Sequence, residues 1–338
     1  MEIQHTRKYL IVKWNFIESW TFLLLPRTEI CRNKMPNKHT FTVPLPENYR
    51  PQDALRRIGN DPECRDEQIG IDSFTKAFPV LTTEGVVLLR LVVVFTPRQA
   101  EATIEGDFTL SPELILSVKK IAHRLLGLTI DPVPFEERAK TDSVVRRLVG
   151  KRSGLRIALT ATVFEGVVWA ILGQQVNVSF AATLRRRLIN LCGSPAGEGY
   201  TAHPTPAQVA QLDYADLTPH QISQRKAEYL IDTARLVVAG ELPLETLDTL
   251  PFSEAEAKLL AVRGFGPWST HYLLMRSCGF PDCVPLGDTG LREAVRRFFA
   301  LDHAPTPAEV AEHTAGFAPY RSLATFHLWH SLSDPVEL

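Results

Sequence analysis

The residues best equipped for chemistry lie in the C-terminal half. Leu259-Leu260-Ala261-Val262-Arg263-Gly264-Phe265-Gly266-Pro267-Trp268-Ser269-Thr270 sets two glycines, one residue apart, between two helical patterns. Ser253 and Glu256 have capping-box spacing for a helix through Val262, and Pro267 suits the first turn of a helix reaching about Cys278. Gly264 and Gly266 permit a turn tight enough for backbone to approach a ligand. The N–H groups of such a hairpin suit an anion such as a DNA phosphate, a contact that reads no base sequence. A compact turn between helices requires the same G-x-G, and the motif alone does not separate the two readings.

About one helix downstream, Pro285-Leu286-Gly287-Asp288-Thr289-Gly290-Leu291 places a carboxylate where a loop enters a helix from Gly290 to Ala300. As an N-cap, Asp288 accepts backbone N–H bonds beside the positive helix end, an environment that favours an anion. The position serves a simple helix cap and equally serves a fixed anion at a reacting centre. A fixed carboxylate at a reacting centre stabilises positive charge that develops in a transition state.

Several separated motifs agree in order with these two. Gly154-Leu155-Arg156, Phe164-Glu165, Ala170-Ile171-Leu172-Gly173-Gln174, Arg225-Lys226-Ala227-Glu228, the hairpin, Asp288, and Pro319-Tyr320-Arg321-Ser322 with Trp329 together resemble the helix-hairpin-helix (HhH-GPD) DNA glycosylase superfamily, in its bacterial 3-methyladenine DNA glycosylase II type. The resemblance spans residues 40 to 335 and is strongest after Pro134. It implies a mainly α fold with an N-terminal α+β domain: two helical domains with a cleft between them, plus a TBP-like α/β domain. It also implies a monofunctional glycosylase that removes alkylated bases, 3-methyladenine above all, from duplex DNA in base excision repair.

The resemblance assigns catalysis to Asp288 and a base pocket to Trp268, Tyr272, Trp329 and Gln174. Electron-rich faces suit a cationic base, although buried aromatics are as often ordinary core. An alkylated base already carries positive charge and leaves unprotonated, so no general acid is expected. Trp268 stands where bifunctional relatives carry a Schiff-base lysine, which implies hydrolysis without strand cleavage. Gln175 matches the residue inserted into the duplex, often Leu in the family; glutamine there either bonds the orphaned base or is only a polar helix end. Gly264, Phe265, Gly266, Pro267 and Thr270 would grip the DNA backbone. The carbonyls of Leu260, Val262 and Gly264 would hold a structural Na or K ion, with no cofactor in the chemistry. The implied partner is double-stranded DNA containing damaged bases, bound by a monomer whose product passes to an AP endonuclease. Two rivals stand: a glycosylase for oxidised, deaminated or mismatched bases, and a non-catalytic helix-hairpin-helix DNA-binding protein. Retention of Asp288 and the aromatic set weighs against the second.

The elements that must position these residues are legible in outline. At about 150 residues per domain, 338 residues predict two domains or three small ones. Hydrophobic residues at 45% and charged residues at 22% exclude disordered and membrane-embedded classes. Residues 1-38 read as a dispensable extension, 39-133 as an α/β domain, 134-162 with 282-338 as one helical domain, and 163-281 as the other. Val86 to Phe95 reads as a buried strand and Phe41 to Val43 as a short edge strand, while Ser111-Pro112-Glu113 opens a helix that Gly127 ends. After Pro134 helices dominate, with Gly193-Ser194-Pro195, Pro204 and Pro243 as punctuation and two helices flanking Gly173-Gln174-Gln175.

Lys and Arg number 37 against 38 Asp and Glu, so DNA must meet a local basic surface rather than a global field. Arg138, Lys140, Arg146, Arg147, Lys151, Arg152 and Arg156 form one basic stretch, which reads as a solvated face or a phosphate track. Five cysteines without C-x-x-C point to a reducing cytoplasm, which the resemblance implies is the bacterial one with its nucleoid, and none after Cys283 excludes a C-terminal four-cysteine cluster. His327 and His330 read as a helix face rather than a metal site. Lys13, Asn15 and Glu18 interrupt the apolar stretch from Tyr9 to Pro26, so no membrane span is expected.

Overall fold

The computed structural model describes residues 3–5, 9–12, 23–26, 37–58, 61 and 63–333. The chain divides into two compact units, Met1–Pro36 and Asn37–Leu338. The first contains an antiparallel sheet of β1 (Ile3–His5), β2 (Tyr9–Val12) and β3 (Leu23–Pro26) in that order. Most other residues of the extension expected over 1-38 lie outside the described ones.

The second unit begins with a five-stranded antiparallel sheet. Its strands are β4 (Asn37–Pro44), β5 (Glu67–Ile69), β6 (Ser73–Thr82), β7 (Gly85–Phe95) and β8 (Gln99–Gly106), in the order β4-β8-β7-β6-β5. The apolar run of β7 pairs on both sides, and Leu89, Leu91 and Val93 alternate onto the buried face. The edge strand expected over Phe41 to Val43 is longer, because all eight residues of β4 pair with β8. Helix α1 (Pro51–Ile58) lies between β4 and β5 in the chain. Helix α2 (Pro112–Leu125) is capped by Ser111, whose Oγ accepts from Leu114 N at 3.1 Å, and buries Leu114, Val118, Ile121 and Leu125 in the same core as β7.

The rest is helical. In chain order come α3 (Val133–Glu137), α4 (Ser143–Val149), α5 (Val163–Leu172), α6 (Val178–Cys192), α7 (Pro206–Ala210), α8 (Tyr214–Leu217), α9 (Gln224–Val238) and α10 (Phe252–Leu260). Then follow α11 (Pro267–Leu273), prolonged by a π-helical turn Leu274–Cys278, α12 (Thr289–Phe298), α13 (Pro307–Ala315) and α14 (Arg321–Ser331). Their apolar faces share one continuous core from Ile130 to Leu328. Among the described residues no helix is long and apolar enough to cross a membrane.

Two sequence expectations need correction. The punctuation at Gly193-Ser194-Pro195 is part of a hairpin, β9 (Ser194–Gly197) with β10 (Tyr200–Ala202). Glu198 and Gly199 both take positive φ, 49° and 81°, which is the two-residue turn that matches strand twist. Nor do Ser253 and Glu256 cap α10: the helix starts at Phe252 behind Pro251, and Glu256 accepts from His271 instead.

Candidate active site

Asp288 caps α12 as its sequence position requires. Oδ1 accepts from Leu291 N at 2.7 Å, and the extended backbone at Asp288 (φ −67°, ψ 124°) is that of an N-cap. Two indoles then converge on the same carboxylate. Trp268 Nε1 donates to Oδ2 at 3.1 Å, and Trp329 Nε1 donates to Oδ1 at 3.0 Å. A carboxylate offers about four acceptor positions, two per oxygen. Leu291 and Trp329 fill Oδ1, while Trp268 takes one position on Oδ2 and leaves the other.

The aromatic rings form a wall beside that anion. Tyr272 stacks on Trp268, with centroids 5.4 Å apart and planes at 29°, and lies 6.1 Å from Trp329. All three are half-buried. The elements responsible are α11, whose one-turn spacing puts Trp268 and Tyr272 on one face, and α14, which carries Trp329. Gly290 fits between them: a Cβ there would lie 3.2 Å from Asp288 Oδ1 and 3.6 Å from the Trp329 ring.

The motif Pro319-Tyr320-Arg321-Ser322 acquires a physical role as a brace. Arg321 pairs with Asp282 through both nitrogens, each at 2.7 Å, and its N–H reaches the same carboxylate. Burial pushes the Asp282 carboxyl up, but the Arg321 bonds outweigh it and hold it below its ordinary value. Ser322 Oγ accepts from Cys283 N at 2.9 Å and donates to Phe280 O at 2.7 Å. The loop leading to Asp288 is thereby fastened to the helix that carries Trp329. His271, which sequence reasoning missed, adds a second fastening: its Nδ1 accepts from Val284 N at 3.1 Å, so its Nε2 carries the proton and donates to Glu256 at 2.8 Å. Its place three residues after Trp268 on α11 was the available signal.

The glycine turn is built as a hairpin, but not with all its donors free. Phe265 N donates to Val262 O at 3.1 Å, and Gly266 N donates to Ser269 Oγ at 2.9 Å. Thr270 N bonds back to Gly266 O at 3.0 Å, and the Thr270 side chain is buried. Gly264 is required twice over, because its φ is +99° and a Cβ would lie 2.4 Å from the Tyr229 ring. Arg263 lies over that ring at 5.4 Å and pairs with Glu228 at 2.7 Å.

Gln174 is found on the hairpin. Its Nε2 donates to Gly264 O at 2.8 Å, so the amide expected in the base pocket is engaged by turn backbone. Gln175 is exposed and left-handed, with φ 56°, between the end of α5 and Asn177, which caps α6. Lys226 Nζ donates to Leu172 O at 2.6 Å and closes the end of α5. In the basic stretch, Arg138 serves the carbonyls of Gly316, Phe317 and Ala318, Arg146 those of Ala139 and Lys140, and Arg147 that of Phe298. These guanidiniums close loop and helix ends, so their charge is committed to the fold first.

The order of these features, glycine turn, braced loop, carboxylate cap and indole helix, is that of a helix-hairpin-helix protein. Residues 168–319 match the HhH-GPD superfamily of base excision DNA repair proteins. A Bacillus subtilis protein named DNA-3-methyladenine glycosylase is 34% identical over 218 residues, which is 64% of this chain and 72% of that protein. Escherichia coli DNA-3-methyladenine glycosylase 2 is 31% identical over 243 residues, 67% of this chain and 81% of that one. A 3-methyladenine DNA-glycosylase from Archaeoglobus fulgidus has the same fold, with a TM-score of 0.73, 20% identity, and coverage of 86% of this chain and 97% of that one. The chain belongs to the HhH-GPD superfamily.

Proposed function

We propose that this protein is a DNA glycosylase that hydrolyses the N-glycosidic bond of alkylated bases, 3-methyladenine among them, in damaged duplex DNA. The observation that carries the reading is the Asp288 carboxylate, held on one side by a helix N-terminus and on the other by two indole N–H groups. A flipped nucleotide lying against Trp268, Tyr272 and Trp329 brings its anomeric carbon toward this fixed anion. The anion stabilises the oxocarbenium-like transition state, and the remaining acceptor position on Oδ2 orients the attacking water. A base that is already cationic departs without a general acid and is attracted to the ring faces while bound. Trp268 supplies no amine, so water rather than a protein nucleophile completes the reaction and the product is an abasic site.

The surface around the site serves the DNA. Gln175 enters the space that a flipped base vacates, a reading supported by its exposure at the break between α5 and α6. The turn of Gly264, Phe265, Gly266, Pro267 and Thr270 meets the backbone. Val262 O and Gly264 O each accept one hydrogen bond and retain a lone pair, so with Leu260 O they suit a monovalent cation, which would add one positive charge facing a phosphate.

The test is release of free bases from duplex DNA treated with a methylating agent, comparing wild type with Asp288→Asn at equal circular dichroism. Wild type is expected to release 3-methyladenine without nicking the strand, and the variant to release none. Release by both would remove Asp288 from the chemistry. DNA binding without release by either would favour the non-catalytic reading.

A further inference from the structure

A cavity beside Tyr272 contains chemistry that the aromatic wall does not use. It lies where the sheet meets the helices, with Trp169 and Glu165 of α5, Glu67 of β5, and Thr160 and Ser277 on its lining. Thr160 is 6% exposed and Ser277 is 0% exposed, and neither hydroxyl oxygen has a hydrogen-bond partner. A buried hydroxyl, both donor and acceptor, is unfavourable without a partner. Nothing about these two is loose. Arg124 donates to the carbonyls of both residues, and Thr160 N donates to Arg276 O at 3.2 Å. Ser277 stands in the π-helical turn after α11, a distortion frequent at functional sites. Gly166 makes room for it, since a Cβ there would lie 1.8 Å from Ser277 Oγ.

The charged side of the cavity is already satisfied. Glu165 Oε1 accepts from Lys76 Nζ at 2.8 Å and from Arg185 Nη2 at 3.2 Å, and Glu67 accepts from Lys76 at 2.9 Å. Asp66, Glu67 and Glu165 have the clustering of a metal site, but the ammonium and guanidinium of Lys76 and Arg185 occupy it. Among the neutral side chains of the lining, the hydroxyls of Thr160 and Ser277 are the buried groups without a hydrogen-bond partner, which suits them to recognise a ligand.

We propose that this cavity receives the hydrogen-bonding edge of a flipped purine, the edge remote from the sugar, and that Thr160 and Ser277 are specificity-determining residues. The inference rests on the glycosylase reading and deepens it. A hydroxyl donates to a carbonyl and accepts from an amine, so the recess takes adenine-type and guanine-type lesions alike.

Thr160→Val and Ser277→Ala together remove both hydroxyls with little change in volume. A second variant, Ala182→Leu, fills the cavity from α6, where Ala182 is part of its lining, without altering the ion cluster. The measurements are release of methylated adenine and methylated guanine from alkylated duplex DNA, and affinity for a duplex with an abasic-site analogue, which has no base to enter. The double variant is expected to lose at least tenfold in kcat/KM for both bases with a melting temperature no lower than wild type, and Ala182→Leu to abolish release while the protein stays folded, each with unchanged abasic-duplex affinity. Release within twofold of wild type in both variants would make the cavity a structural recess only and overturn the proposal. Parallel loss of abasic-duplex binding would overturn it as well. Absence of release by the wild type would remove the glycosylase reading itself, and this proposal with it.

Discussion

Each indole N–H on Asp288 is a bond to an anion, and such bonds contribute about 1.5–3 kcal/mol, more than neutral ones. Trp329→Phe keeps a ring against Tyr272 and removes one of the two donors. Leu291 N still holds Oδ1, so orientation is only partly lost. The expected outcome is a fall in kcat/KM of about tenfold, near the lower end of that range, measured by base release at unchanged melting temperature. An unchanged rate would show that the indole is only a wall. The residue types here were legible: an Asp before a helix and aromatics at one-turn spacing announce themselves in sequence. The engagement of Gln174 was not, because Gly264 O is an acceptor 90 positions away that only the folded chain brings within 2.8 Å.

At the scale of elements, the glycine turn sets how α10 and α11 meet. Alanine at Gly264 must take up a left-handed φ, which costs about 1–3 kcal/mol, and must also push its Cβ against Tyr229 at 2.4 Å. Because Gln174 bonds the same residue, the shift reaches the break before α6. Gly264→Ala is expected to weaken binding to an abasic-analogue duplex at least tenfold and to lower the melting temperature, read by fluorescence anisotropy and calorimetry. Binding at wild-type strength would show that the turn is scaffolding only. Elements announced by local chemistry were readable, such as Ser111 before α2 and Asp288 before α12. Those decided by partners were not. Pro195 reads as a breaker until β10 pairs with its strand, and Glu256 reads as a cap until His271 claims it.

Across the whole molecule, the sheet and the helices are joined by charges that no local pattern reveals. Lys76 of β6 meets Glu165 of α5 across 89 positions, and Asp66 meets Arg185 of α6 across 119. Burial pushes the Asp66 carboxyl up, but Arg185 and Lys76 more than reverse this, so its net shift is downward. Its contribution to stability is present above the unfolded value of about 3.9 and is lost as pH falls below it. Two buried histidines act in a different window. Burial pushes His203 down to about 4, and burial reinforced by Arg152 pushes His327 down to about 3. An unfolded chain takes up these protons near pH 6.5, where the native imidazoles stay neutral. Between about 6.5 and the native values the unfolded state binds more protons, so stability falls as pH falls. Both ring nitrogens of His327 lack a hydrogen-bond partner, and its ring lies 5.8 Å from Phe135 in the helical core. His327→Leu removes one titrating group without orphaning another. The melting temperature of the wild type is expected to be flat between about pH 7 and 8, to decline from about 6.5 toward 4, and to drop more steeply below 4 as the Asp66 cluster protonates. The variant is expected to decline less between 6.5 and 4 and to keep the steep drop below 4. Equal slopes in the upper window would mean that His327 does not set the acid lability of this fold.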